Sequence, residues 1–212
     1  KAGLAVREWS NLAAAPLSEI KWGSTSPQIA ITGLVWPRVK VTTGADQNQA
    51  TAGPTGAPWI DSNSWVARLA LVRAPGKQIW LAFEPPSQEQ APSETAYGIA
   101  IADSAATGAR WVVSLHAAHA KGLAAGEAGS LKTWKSMLGT LSFFEKHRSW
   151  STYEPWGSVG ILSSFSGNNE FMGSEVLNLA ARRNLLYRIL DRTMPATHKL
   201  DGLRGVLYVD DD

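Results

Sequence analysis

The sequence predicts an α/β protein whose core is a mostly parallel, six-stranded sheet with helices on both faces. Three observations lead there. Short apolar runs rich in β-branched residues alternate along the chain with longer segments whose apolar positions recur every three or four residues. Prolines and glycines punctuate the joins. Strands separated by helix-length segments pair through βαβ crossovers, which make parallel sheets.

The strands are expected at 29–36, closed by Pro37; at 78–84, stopped by Pro85 and Pro86; and at 110–115, 156–164, 187–190 and 205–209. The first helix follows Asp61 or Ser62, either of which suits a cap, and carries Trp65, Val66, Leu69, Ala70 and Val72 up to Pro75-Gly76. Ser93 caps a second, with Tyr97, Ile99 and Ile101 on its apolar face and Gly108 at its end. A third, over 127–147, repeats Leu131, Trp134, Met137, Leu138, Leu141 and Phe144 at a spacing suited to lying on a sheet, and a fourth spans 169–183. The segment 42–58, rich in Gly, Thr, Gln and Asn, reads as a long loop.

Residues 1–26 form an N-terminal arm or the remnant of an export signal, because Leu12-Ala-Ala-Ala-Pro16 looks like a small-residue cleavage region. On that reading the parent protein is exported, to a periplasmic or extracellular location. Residues 27–212 then make a single domain, with a sub-boundary near 150–157. A second architecture uses that boundary fully: a few barrel-like β/α units up to about 150, then the start of a flavodoxin-like domain. A complete eightfold barrel needs about 250 residues, more than the 212 present.

The bulk numbers exclude several classes. A chain that is 44% hydrophobic and 18% charged has neither the charge excess of a disordered protein nor a membrane-length apolar run. A formal charge of +2 without a Lys/Arg block argues against nucleic acid as a partner. The absence of cysteine removes disulfides, thiolate metal sites and Cys nucleophiles. The ten tryptophans are numerous for this length and suit a sugar-binding floor as well as a core.

Three groups of residues have the chemistry for a site. Glu84, directly after a buried strand, pairs with Asp61 as the two carboxylates of a glycosidase, one protonated and one ionised. Trp59, Trp65 and Asn63 lie near in sequence and would bind the sugar. His116 and His119, after the strand at 110–115, offer a general base or two ligands for a divalent cation (Ca, Mg or Zn), joined by Asp210 and Asp212 at the end of the last strand. Such a centre would hydrolyse lactones or esters, for example an acyl-homoserine-lactone-type substrate. Ser163-Ser-Phe-Ser-Gly167 lacks the first glycine of a nucleophile elbow, and as a Gly/Ser loop before a helix it suits an anion instead.

Gly53-Pro-Thr-Gly-Ala-Pro-Trp-Ile-Asp-Ser-Asn-Ser-Trp65 and Ala102-Asp-Ser-Ala-Ala-Thr-Gly-Ala-Arg-Trp-Val-Val-Ser114 resemble segments of large exported bacterial proteins of glycoside-hydrolase-like type. Gly160-Ile-Leu-Ser-Ser-Phe-Ser-Gly-Asn-Asn-Glu170, Glu175-Val-Leu-Asn-Leu-Ala-Ala-Arg-Arg183 and Gly205-Val-Leu-Tyr-Val209 are similar to the opening of the amidotransferase-like, flavodoxin-like domain of some β-galactosidases. The resemblance implies a truncated relative of those enzymes and a hydrolase acting on a glycan or other small molecule. A non-catalytic glycan-binding or interaction fragment is one non-enzymatic alternative, and a structural fragment that forms a homodimer through an exposed apolar edge is another.

Overall fold

The computed structural model describes residues 14–34, 36, 38–40, 59–61, 63–83, 91–154, 156–183 and 185–211, and only the backbone at 38–40, 59–61 and 182. Strands β1 (Ala14–Pro16), β2 (Gln28–Leu34), β5 (Gln78–Phe83) and β6 (Arg110–Trp111) form a parallel sheet in the order β1-β2-β5-β6. Strands β7 (Val159–Ser163), β8 (Tyr187–Asp191) and β9 (Gly205–Tyr208) form a second parallel sheet in the order β8-β7-β9. A short antiparallel pair, β3 (Arg38–Lys40) and β4 (Trp59–Asp61), stands apart from both.

All six expected strands are present, but they divide three and three between two sheets. The split follows from what lies between β6 and β7. β6 pairs with β5 at only Arg110 and Trp111, with one further bond from Val112 N to the Leu81 carbonyl, so the expected strand to 115 is cut short. The chain then turns into α3 (Ala117–Ala125), which the periodicity did not signal, and α4 (Ala128–Lys146). Nineteen residues of helix advance the chain about 29 Å. α4 packs mainly on α2 (Glu94–Ala105) and α3 rather than on a strand, so it carries the chain away from the first sheet. A 3-10 turn at Arg148–Thr152 then delivers it to β7.

β5 occupies the interior position expected of it, with Ile79, Leu81, Ala82 and Phe83 buried. The caps also follow the sequence in part. Ser93 Oγ accepts from Ala96 N at 3.1 Å. The first helix, α1 (Ser64–Arg73), is capped at Asn63 rather than at Asp61 or Ser62, and the N–H of Asn63 is taken by Asp103 of α2 at 2.7 Å.

α1 joins the two sheets. Its Val66, Ala67, Ala70 and Ala74 side face the core of the four-stranded sheet, where they meet Ile29, Ile79 and Leu81. Leu69 packs with Ile161, Leu177 and Ile189 in the core of the three-stranded sheet, and Trp65 and Val72 lie against that core too. Positions 66, 70 and 74 share one helical face and 65, 69 and 72 another, so both faces are apolar. Four residues beyond Leu69, Arg73 Nε meets Asp191 Oδ2 at 2.5 Å, with side-chain exposures of 9% and 0%. Its Nη2 donates to the Ser164 carbonyl at 2.7 Å.

Removing one member of a buried pair strands the other charge, at a cost of about 3–5 kcal/mol. Arg73→Ala and Asp191→Ala are each expected to lose that much in urea denaturation. The double substitution Arg73→Met with Asp191→Leu is expected to cost less than either alone. Single losses under about 1 kcal/mol, the range of an exposed pair, would show that the pair does not hold the sheets.

Candidate functional site

The carboxyl edge of the four-stranded sheet is aromatic. Trp36, two residues past β2, meets Phe83 at the end of β5, Tyr97 of α2 and Trp111 of β6 edge to face, with centroids 5.5–5.7 Å apart. Tyr97 also meets the His119 ring at 5.5 Å. Parallel α/β sheets place ligands at this edge, where the loops after successive strands converge.

His116 enters the same cluster, 7% exposed, as the N-cap of α3. Its backbone N–H donates to Tyr97 Oη at 3.0 Å. Its Nδ1 accepts from Ala118 N at 3.1 Å, which fixes the tautomer: the lone pair is on Nδ1 and the proton on Nε2. That Nε2–H is buried and has no acceptor among the described residues, and the same is true of the Trp111 indole N–H. The aromatic cluster and the histidine bonded to it thus hold two buried donors without acceptors, an arrangement that costs stability unless water or a ligand supplies them.

The tautomer bears on the metal expectation. A ligating imidazole needs its lone pair toward the ion, and on Nε2 of His116 that position carries hydrogen. His119 Nε2 lies 3.3 Å from the Pro92 carbonyl, as a donor, so only its Nδ1 retains a lone pair. Asp210 belongs to the other sheet. Among the described residues no group of three or more His, Asp or Glu side chains is placed to hold a metal ion. Asp212, the fourth residue expected there, lies outside the described residues.

The remaining candidates are distributed unevenly. Asp61 ends β4 and Trp59 begins it, with only their backbones described, while Glu84 and Asp212 lie outside the described residues. Asn63 is 3% exposed and its amide donates to Asp103, so it is part of the α1–α2 contact. Trp65, partly buried, packs against both cores. Trp22 and Trp134 pack against the core as well.

Asp210 has a structural role. Ser163 Oγ donates to its carboxylate, Ser164 N lies 2.9 and 3.0 Å from its two oxygens, and Arg192 Nε pairs with it at 3.1 Å. The Ser163–Gly167 loop does receive an anion, and that anion is the chain's own aspartate. Phe165 in this loop holds φ +44°, a left-handed conformation uncommon for a bulky residue. Its N–H bonds Ser163 Oγ at 3.0 Å and its ring is buried in the core, which keep it there.

No protein-family model matches the chain, and no curated protein or solved structure is significantly similar to it. The fold and site define an α/β protein with parallel sheets and a donor-rich aromatic edge. Among the described residues no helix is long and apolar enough to cross a membrane.

Sequence reasoning missed Trp36, Tyr97 and Trp111 as site residues. The available signal was position, since each sits at or just past a strand end or on the first turns of the next helix. Burial pushes the Tyr97 phenol above its ordinary value, partly offset by the His116 N–H. The fold thus favours neutral phenol over phenolate. Stability from this group is complete below about pH 10, the unfolded value, and is lost as pH rises through the higher folded value. Denaturation midpoints measured from about pH 8 to about pH 11 should fall less steeply for Tyr97→Phe than for the parent. Parallel curves would contradict the assignment.

Proposed function

We propose that the chain is a hydrolase related to glycoside hydrolases, acting on a carbohydrate or similar small substrate at the carboxyl edge of the four-stranded sheet. The observation that supports this reading is two buried, unmatched donors, Trp111 N–H among the rings of Trp36, Phe83 and Tyr97 and Nε2–H of His116, whose backbone bonds the Tyr97 hydroxyl. Sugar hydroxyl and glycosidic oxygens supply the acceptors such donors lack. Phe83 ends β5 at this edge, and Glu84 is the next residue in the chain.

In this reading Glu84 and Asp61 are the carboxylate pair: one protonates the leaving oxygen while the other acts as nucleophile or activates water, according to their separation. His116 Nε2–H orients the substrate and stabilises negative charge developing on oxygen. The exported location of the parent protein belongs to the same proposal, since polymeric glycans are met outside the cell.

Two substitutions test it on a panel of nitrophenyl glycosides. Glu84→Gln should lower kcat about 100- to 10,000-fold, the range of a general acid or base, with the melting temperature unchanged. His116→Asn keeps a good N-cap residue and removes the Nε2 donor, so kcat/KM should fall about tenfold or more while the fold is retained. Full turnover by Glu84→Gln overturns the mechanism. Saturable glycan binding with no product from the parent protein would make the edge a binding module.

A further inference from the structure

A groove of about 570 Å³ lies between α1, the 3-10 turn at Arg148–Thr152 and β8, an edge strand of its sheet. It is at the opposite end of the four-stranded sheet from His116. Thr107, one of its lining residues, is in the turn that leads into β6, whereas His116 follows that strand's exit. The packing there is close: a Cβ on Gly108 would meet Ser151 Cβ at 3.0 Å.

The lining is rich in hydrogen-bond donors. Arg68, Arg188 and Lys199 face it with one carboxylate, Glu154, and Lys199 already pairs with that carboxylate. Arg188 Nη1 donates to the carbonyls of Lys199 and Asp201, at 3.1 and 2.7 Å, but its Nε–H is buried with no acceptor. Tyr187, 2% exposed, also carries a buried hydroxyl whose hydrogen has no acceptor among the described residues. The Arg68 guanidinium lies 5.0 Å above the Tyr187 ring, and a guanidinium has only hydrogens to offer, so it cannot accept the phenolic one. Burial raises the Tyr187 phenol above its ordinary value, partly offset by the neighbouring Arg68 guanidinium, so the hydroxyl keeps that hydrogen at neutral pH. Trp150 and Tyr153 complete the wall, 52% and 71% exposed.

We propose that this groove is a second ligand site, for a small organic anion whose acidic oxygens accept from Tyr187 and the Arg68 guanidinium over its ring and whose flat body lies against Trp150 and Tyr153. Two features select an acid over a neutral polyol. The unmatched groups are donors, and a carboxylate or phosphate only accepts. The lining cations outnumber the carboxylate, so an anion enters a favourable field in a partly enclosed space. The inference is independent of the hydrolase reading, because the groove shares no residue with the carboxyl edge.

Titration calorimetry with phenyl phosphate and with benzoate tests the site, with benzyl alcohol and benzylamine as neutral and cationic controls. At least one acid should bind saturably at one site, and the tighter of the two identifies the head group. Tyr187→Phe should weaken that binding about fivefold and Arg68→Gln about tenfold, the loss of one hydrogen bond or one charge contact. Tyr187→Phe should melt no lower than the parent, since it deletes an unmatched buried hydroxyl and keeps the ring; its weaker binding is then not a folding defect. No saturable binding of either acid overturns the proposal. So does binding of benzyl alcohol as tight as that of the acids, or affinity unchanged by both substitutions.

Discussion

The contact between Arg73 and Asp191 organises this molecule because it joins elements that share no hydrogen-bonded ladder. Arg73 ends a helix seated on the four-stranded sheet, and Asp191 ends a strand of the three-stranded one. Two charges taken out of water are tolerated only when every lone pair and hydrogen is used. Here the carboxylate also accepts from Thr193 N at 2.9 Å and Thr193 Oγ1 at 2.6 Å, and the guanidinium reaches the Ser164 carbonyl at the end of β7. The Arg73 guanidinium lies 5.4 Å over the Trp22 ring, which shields the pair on the side of the first sheet. One side chain thereby fixes the ends of two strands relative to α1.

The two carboxyl edges use their polar groups in opposite ways. At the three-stranded sheet, Asp191 and Asp210 are saturated by serine, threonine, arginine and backbone donors, and the result is architecture. At the four-stranded sheet, His116 and Trp111 bury donors that nothing in the described structure accepts. A site that must exchange ligand needs unmatched groups, because groups already paired have nothing to give a substrate. The same criterion marks the groove beside Tyr187 and Arg188.

Much of the fold was legible in the sequence, for reasons tied to particular residues. Pro85 and Pro86 mark where β5 must stop, Ser93 caps α2, and the alternation of strand and helix patterns implies parallel pairing. The division into two sheets was harder to see, because each run of β-branched residues looks the same whichever neighbour it joins. The clue lay in α1: Trp65, Leu69 and Val72 add a second apolar stripe to that of Val66 and Ala70, more than one sheet needs. The site was less legible still. Carboxylates stand out in a sequence, yet Asp210 acts as a clasp, and the groups that define the aromatic edge are ordinary core types whose role depends on a missing acceptor.

Native-state hydrogen exchange under rising denaturant tests most directly whether α1 and its Arg73–Asp191 contact make one cooperative unit of the two sheets. Amides of α1, β5 and β7 are predicted to converge on a single opening free energy with a single denaturant slope. A β7 that opens at lower free energy with its own smaller slope, while α1 and β5 stay protected, would contradict that view and make the three-stranded sheet a separate folding unit.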